Sequence, residues 1–322
     1  MKKRFFAAAV TVCLLLGGCA GNKVMIPYSS DTNSMTLAEL DKGGESQLFA
    51  ADLSVIPLGD DKGADAKLTA ESVLLIDSTD NKVVYADNIY QKMYPASITK
   101  IVTALVALKN SDLEDIVTIS HNAANIKEPG AKLCGFKEGC TITMRELLTA
   151  FLVYSGNDAG VAIAEHIAGS VDKFAEMMNE EAKETGATHS HFVNPHGLHD
   201  DNHYTTAYDI YLFFNELVKN YGSFVDIISQ GIVKIEYKGP DGSYASRTFS
   251  STDRYLVGTQ TAPEGVTVIG GKTGTTGLAG SCLVLYSEGE NTHKYISVIL
   301  KADTGDALFL QMNELLSKIS QS

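Results

Sequence analysis

Ser97 and Lys100, in the stretch Tyr94-Pro95-Ala96-Ser97-Ile98-Thr99-Lys100, place a hydroxyl and an amine three residues apart. Ile98, Ile101, Val102, Leu105 and Leu108 recur at three- and four-residue spacing, so the segment reads as the first turn of a helix with one face in the core. On an α-helix the two side chains fall about 60° apart around the axis and about 4.5 Å apart along it, within reach of one proton transfer. Partial desolvation would push Lys100 toward its neutral, basic form. The helix N-terminus would add a positive dipole end and free backbone N–H groups where an oxyanion forms. This is the layout of an activated serine nucleophile. The pair alone carries little information, because Ser170 and Lys173 repeat the same spacing.

Two further polar clusters supply partners. Tyr154-Ser155-Gly156-Asn157-Asp158-Ala159 stands before a helical pattern, and Gly271-Lys272-Thr273-Gly274-Thr275-Thr276 ends a β run. Ser97-x-x-Lys100, Ser155-x-Asn157 and Lys272-Thr273-Gly274, in that order, resemble the three motifs of penicillin-binding proteins and serine β-lactamases. The fuller runs Pro95–Lys100, Ser155–Ala159, Asn194-Pro195-His196-Gly197-Leu198-His199 and Tyr204–Asp209 resemble the low-molecular-mass D-alanyl-D-alanine carboxypeptidases, from about Leu68 to the C-terminus.

The resemblance implies Ser97 as nucleophile, Lys100 as base, Ser155 on the proton path to the leaving amine and Asn157 as an amide holding the substrate backbone. Lys272 and the Thr273 hydroxyl would take the substrate carboxylate, and Gly274 would let the strand approach the ligand. The oxyanion donors would be the backbone N–H groups of Ser97 and Thr275. The implied reaction is removal of the terminal D-alanine from peptidoglycan pentapeptide stems through an acyl-enzyme, by a monomer, with β-lactam antibiotics as covalent inhibitors and with no cofactor and no metal. Two departures stand out. Many members carry an arginine near the start of the last helix, where this chain has Thr304-Gly305-Asp306-Ala307, and many add a C-terminal β domain, whereas this chain stops at Ser322.

Three rival readings are weaker. A β-lactamase of the commonest class needs a Glu-x-x-Leu-Asn element, and none stands between Ser155 and Lys272. His189, His191, His196, His199 and His203 crowd one loop and could gather zinc, but no His-Glu-x-x-His pattern accompanies them. A weakly active or non-catalytic cell-wall binder sits poorly with three intact motifs. The run around Lys272 lacks the glycine spacing of a phosphate-binding loop.

The elements that must position these residues set the wider frame. The chain has 322 residues, 44% of them hydrophobic, and its 26 basic against 39 acidic residues give a net charge of −13, which argues against nucleic acid and against electrostatic adhesion to an anionic membrane. Lys2-Lys3-Arg4 before the apolar run Phe5–Leu16 reads as a secretory signal (1–18), too short for a comfortable span. Leu16-Gly17-Gly18-Cys19 resembles a bacterial lipobox, so Cys19 is the expected lipidation site of an exported, membrane-anchored lipoprotein. Residues 19–45 read as a flexible tether with a span of roughly 25–30 Å. Cys134 and Cys140 could close a short disulfide, stabilising by about 2 kcal/mol, while Cys282 reads as a buried small hydrophobe.

Ser72–Asp77 and Lys82–Ala86 read as a β-hairpin. Helices are expected over Arg145–Tyr154, Asp158–Ala168, Lys173–Glu184 and from Thr206, where Thr206-x-x-Asp209 resembles a capping box. Strands are expected over Ile232–Lys238, Tyr244–Phe249, Val266–Lys272, Ser281–Ser287 and Tyr295–Lys301, then a closing helix over Asp306–Ile319. The expected fold is α+β: an antiparallel sheet flanked by helices (46–110 and 223–322) with an inserted all-helical subdomain (111–222), as in the β-lactamase and transpeptidase folds.

Overall fold

The structure, a computed structural model, describes Leu53, Ser54, Ile56 and residues 65–290 and 292–321. The signal, Cys19 and the tether lie outside the described residues. No helix among the described residues is long and apolar enough to cross a membrane.

The first hairpin forms as its apolar pattern requires: β1 (Ser72–Asp77) pairs antiparallel with β2 (Lys82–Asp87). Every residue of β1 is buried, because the strand lies inside a sheet covered on both faces. Its alternation sends Leu74 and Ile76 to one core cluster and Val73 and Leu75 to the other. After α1 (Lys100–Asn110) come β3 (Ile116–Thr118), α2 (His121–Ala124), β4 (Thr141–Thr143), α3 (Met144–Thr149), α4 (Asn157–Ala168), α5 (Val171–Glu184), α6 (Ala207–Asn220) and α7 (Gly222–Ile228). Strands β5 (Ile232–Lys238), β6 (Tyr244–Ser250), β7 (Val266–Thr276), β8 (Gly280–Gly289) and β9 (Lys294–Ala302) follow, closed by α8 (Gly305–Ser317).

The main sheet is antiparallel in the order β2-β1-β9-β8-β7. Against one face α8 buries Leu308, Phe309, Met312, Leu315 and Leu316, each contributing about 1.5–3 kcal/mol. The other face carries the larger core, in which α1, α4 and α6 pack together.

The α+β expectation holds, with changes at the proposed internal boundary. Segment 111–222 is not wholly helical: its β3 and β4 build a second antiparallel sheet with β5 and β6, in the order β3-β4-β5-β6. β5 and β6 therefore leave the main sheet, to which strand patterning alone had assigned them. Near residue 223, where strands were expected to resume, α7 intervenes, and Phe224, Ile227 and Ile228 join the same core as α6. Ser170, whose spacing to Lys173 copies that of Ser97 and Lys100, is the N-cap of α5 and accepts from Lys173 N at 3.2 Å. Thr206 likewise caps α6, accepting from Asp209 N at 3.0 Å. Asp209 does not complete a reciprocal box, because its carboxylate accepts from His189 N and Ser190 Oγ instead.

Candidate active site

Ser97 does not sit in the first turn of the α-helix. It lies in a 3₁₀ turn, Ala96–Thr99, that feeds α1. At three residues per turn, positions i and i+3 eclipse, so Ser97 and Lys100 stack more directly than α geometry implies. Lys100 Nζ lies 3.1 Å from Ser97 Oγ. The turn is entered through Ala96 at φ 48°, left-handed backbone that a residue with a Cβ rarely adopts, at a cost on the order of 1–3 kcal/mol.

A brace holds that strained peptide. Thr99 Oγ1 donates to Ala96 O at 2.8 Å, and His203 Nε2 lies 2.7 Å from the same hydroxyl. His203 Nδ1 accepts from Val193 N at 3.2 Å, which leaves the ring proton on Nε2 to donate to Thr99. Burial lowers the His203 pKa to about 3, so the ring stays neutral. Gly197, at φ 83°, closes the brace: a Cβ there would lie 1.8 Å from Ala96 O.

Lys100 is fully buried, and its amine meets three oxygens: Ser97 Oγ, Asn157 Oδ1 at 2.7 Å and His196 O at 2.8 Å. Burial, then the positive charge of Lys272, holds its pKa well below the usual lysine range. A neutral amine has two hydrogens and one lone pair. With the hydrogens given to Asn157 and His196, the lone pair is left for the Ser97 hydroxyl, the arrangement a general base needs.

Ser155 and Asn157 come from the junction of α3 and α4. A wider π turn, Ala150–Tyr154, ends at Ser155 with φ 72°, and α4 starts at Asn157. Among the described residues no hydrogen bond joins Ser155 to Ser97 or Lys100, although Ser155 lines the same cleft. Asn157 N donates to Lys132 O at 2.7 Å, and the Asp158 carboxylate accepts from Cys134 N and Gly135 N at 2.8 and 2.7 Å. The loop before β4 is thereby fastened to the Ser155–Asn157 corner.

The opposite wall is β7. Lys272 is 1% exposed and donates to Thr273 O at 2.8 Å. Burial, then the charge of Lys132, lowers its pKa to about 7, while buried Asp253 pulls the other way. Thr273 Oγ1 donates to Thr252 Oγ1 at 2.6 Å. A Cβ on Gly274 would come within 3.0 Å of Ser97 N, Ile98 N and Pro95 O. The glycine therefore admits the strand to the backbone of the Ser97 turn, whereas the expectation was close approach to a ligand. A cleft of about 460 Å³ lies between the walls, lined by Ser97, Ser155, Asn157, Thr273, Gly274 and Thr275, together with Lys132, His196 and Thr252. Ser97, Ser155, Asn157, Thr273, Gly274 and Thr275 thus line one cleft, while Lys100 and Lys272 are buried and do not line it.

A profile of the D-alanyl-D-alanine carboxypeptidase family (Peptidase S11) matches residues 60–304. The chain belongs to that family. It is 33% identical over 255 residues to the D-alanyl-D-alanine carboxypeptidase DacF of Bacillus subtilis, covering 77% of this chain and 61% of the relative. It is 30% identical over 258 residues to DacA of Haemophilus influenzae, covering 78% and 61%. The chain thus spans about 61% of the length of these relatives. Penicillin binding protein 5 of Haemophilus influenzae superposes with a TM-score of 0.69 at 28% identity, over 79% of this chain and 72% of that one. The DD-transpeptidase of Streptomyces K15 shares the fold, with a TM-score of 0.71 over 80% of this chain and 98% of its own, at 24% identity.

Within this family member, sequence reading missed Thr99 and His203 as the brace, and Thr252, Asp253 and Lys132 around the strand wall. The Asn194–His199 and Tyr204–Asp209 runs were the available signal for the brace. Nothing local marked the other three. The histidine-rich loop does not gather its rings: His191 Nδ1 contacts Asn202 O, His199 pairs with Asp201 and packs edge-on against Tyr94, and His196 Nδ1 accepts from Leu198 N. Among the described residues the one cluster with metal-ligating geometry is Asp77, Asp80 and His293, remote in sequence from that loop. The expected disulfide is corrected as well: Cys134 and Cys140 are both free and buried. Cys134 Sγ packs where a Cβ on Gly156 would stand, 2.1 Å away, so its thiol is spent against the start of α4.

Proposed function

We propose that this protein is a serine-type D-alanyl-D-alanine carboxypeptidase that removes the terminal D-alanine from peptidoglycan pentapeptide stems. Ser97 Oγ attacks the penultimate carbonyl as its proton passes to Lys100, and the backbone N–H groups of Ser97 and Thr275 receive the oxyanion. Collapse breaks the peptide bond, with the leaving amine protonated through Ser155. Water then attacks the acyl-enzyme ester, gives its proton to the same base, and regenerates Ser97. Asn157 holds the peptide backbone, and Lys272 with Thr273 favours the terminal carboxylate. β-Lactams, which also carry an acylating carbonyl beside a carboxylate, would be trapped on Ser97. Cys19 would carry the lipid that anchors an exported monomer at a membrane, with residues 19–45 as its tether.

The observation that carries this reading is the saturated amine of Lys100, whose third contact is Ser97 Oγ at 3.1 Å. Incubation with a D-Ala-D-Ala pentapeptide, followed by mass spectrometry, should show loss of one alanine residue, abolished in Ser97→Ala. Turnover retained by Ser97→Ala would sink the nucleophile assignment.

A further inference from the structure

Lys272, the cation that sequence assigns to the substrate carboxylate, is almost wholly buried behind the cleft wall. Among the described residues the one arginine that reaches the start of α8, Arg254, is taken: its Nη1 pairs with Asp306 at 2.7 Å, its guanidinium lies 4.8 Å from the Phe309 ring centroid, and it does not line the cleft. Lys132 differs from both. It is solvent-exposed as a residue, with partial burial of its amine lowering its pKa from the usual lysine value, and it is the one lysine or arginine that lines the cleft among the described residues. Among the described residues no aspartate or glutamate lines the cleft with it, in a chain where acids outnumber bases 39 to 26.

Its placement is built. The Lys132 carbonyl accepts from Asn157 N at 2.7 Å, and two residues on, Cys134 N and Gly135 N are held by the Asp158 carboxylate. Arg247 Nη1 donates to Cys134 O at 2.7 Å. The Lys132 ammonium stands 4.0 Å from the Tyr154 ring centroid, a face that attracts a cation without consuming its N–H donors. No carboxylate pairs with it among the described residues.

We infer that Lys132 is a substrate-binding residue whose ammonium receives a carboxylate of the peptide at the mouth of the cleft. The inference rests on the carboxypeptidase reading and supplies the exposed cation that this reading lacks. The terminal carboxylate is the favoured partner, because Lys132 lines the cleft together with Thr273, whose carbonyl holds the Lys272 amine. The charge of Lys132 lowers the Lys272 pKa, and a bound carboxylate would offset that repulsion.

The test compares wild type, Lys132→Met and Lys132→Arg on two pentapeptides ending in D-Ala-D-Ala, one with diaminopimelate and one with lysine at the third position. Lys132→Met should raise KM about tenfold to a hundredfold while kcat changes by less than about threefold, and Lys132→Arg should recover most of the loss. The alkaline limb of kcat/KM should move to higher pH in Lys132→Met, since Lys272 is relieved of a neighbouring positive charge, and should return in Lys132→Arg; the split between KM and kcat is what separates a binding lysine from a structural one. Equal losses on both peptides assign the terminal carboxylate, and a loss confined to the diaminopimelate peptide assigns the side-chain carboxylate. An unchanged KM, or a fall in kcat alone, overturns the inference, provided stoichiometric penicillin labelling shows the variant folded. A wild type that releases no D-alanine from either peptide overturns the proposed function and this inference with it.

Discussion

Lys100 and Lys272 are both buried lysines, one behind each side of the cleft, yet their surroundings are unlike. Lys100 has three hydrogen-bond partners within 3.1 Å, drawn from three different segments of the chain. Lys272 has, among the described residues, one hydrogen bond, to the carbonyl of its own neighbour. A buried amine with every direction filled is held in one place with its lone pair aimed at one hydroxyl, which suits a base. A buried amine with donors to spare favours an incoming anion, which suits recognition. Burial depresses both pKa values; the hydrogen-bond partners separate the two roles.

The sharpest break of this comparison is Lys100→Ala against Lys272→Ala in the rate of acylation by labelled penicillin. Loss of the base should slow acylation by about 10²–10⁴-fold, whereas loss of Lys272 should act mainly through the concentration needed for half-maximal rate. Equal effects on the limiting rate would erase the distinction. A smaller effect is expected from pH. Lys272, lowered to about 7, is charged below that pH and neutral above it. KM for a peptide with a free carboxylate should therefore rise above about pH 7, approaching tenfold per pH unit. Asp253→Asn removes a carboxylate that supports the Lys272 charge, so the limb should move to lower pH; a move upward would contradict the assignment.

The smallest effects belong to the brace on the Lys100 side. Thr99→Val leaves Ala96 O and His203 Nε2 without their shared hydroxyl and should cost about 1–3 kcal/mol in denaturant unfolding, with a slower acylation that follows. His196 and His203 add an acid signature. Each has a folded pKa of about 3 against 6.5 for the free side chain. Between those values the unfolded chain binds more protons, so stability should be complete above pH 6.5 and drain away as pH falls toward 3. An unfolding free energy flat across that window would show that neither ring is buried neutral.

Much of the molecule was legible in one dimension. The first hairpin, the strand pattern from Ile232 onward, the closing helix and the α+β class followed from apolar periodicity, since a period of two or three to four residues is a local property. Short strands were not legible: β3 and β4 have three residues each, too few to show a period, and their pairing is what draws β5 and β6 out of the main sheet. The free thiols of Cys134 and Cys140 also lay beyond reach, because spacing states which cysteines could meet and says nothing of what else occupies them.

The sequence by itself determined the chemical inventory: which hydroxyl, which amines, which amide and in what order, because motif residues are read directly and the helices and strands that carry them announce themselves locally. Only the tertiary structure decided how the inventory works. The partners of Lys100 lie 57 and 96 residues along the chain, the brace of Thr99 lies 104 away, and the strand that crowds Ser97 N comes from residue 274. Hydrogen bonds of that separation have no periodicity, and the field that sets a lysine's charge is summed over whatever the fold brings near. For the same reason Lys132, ordinary in sequence, became visible as the exposed cation of the cleft only once the chain had closed around it.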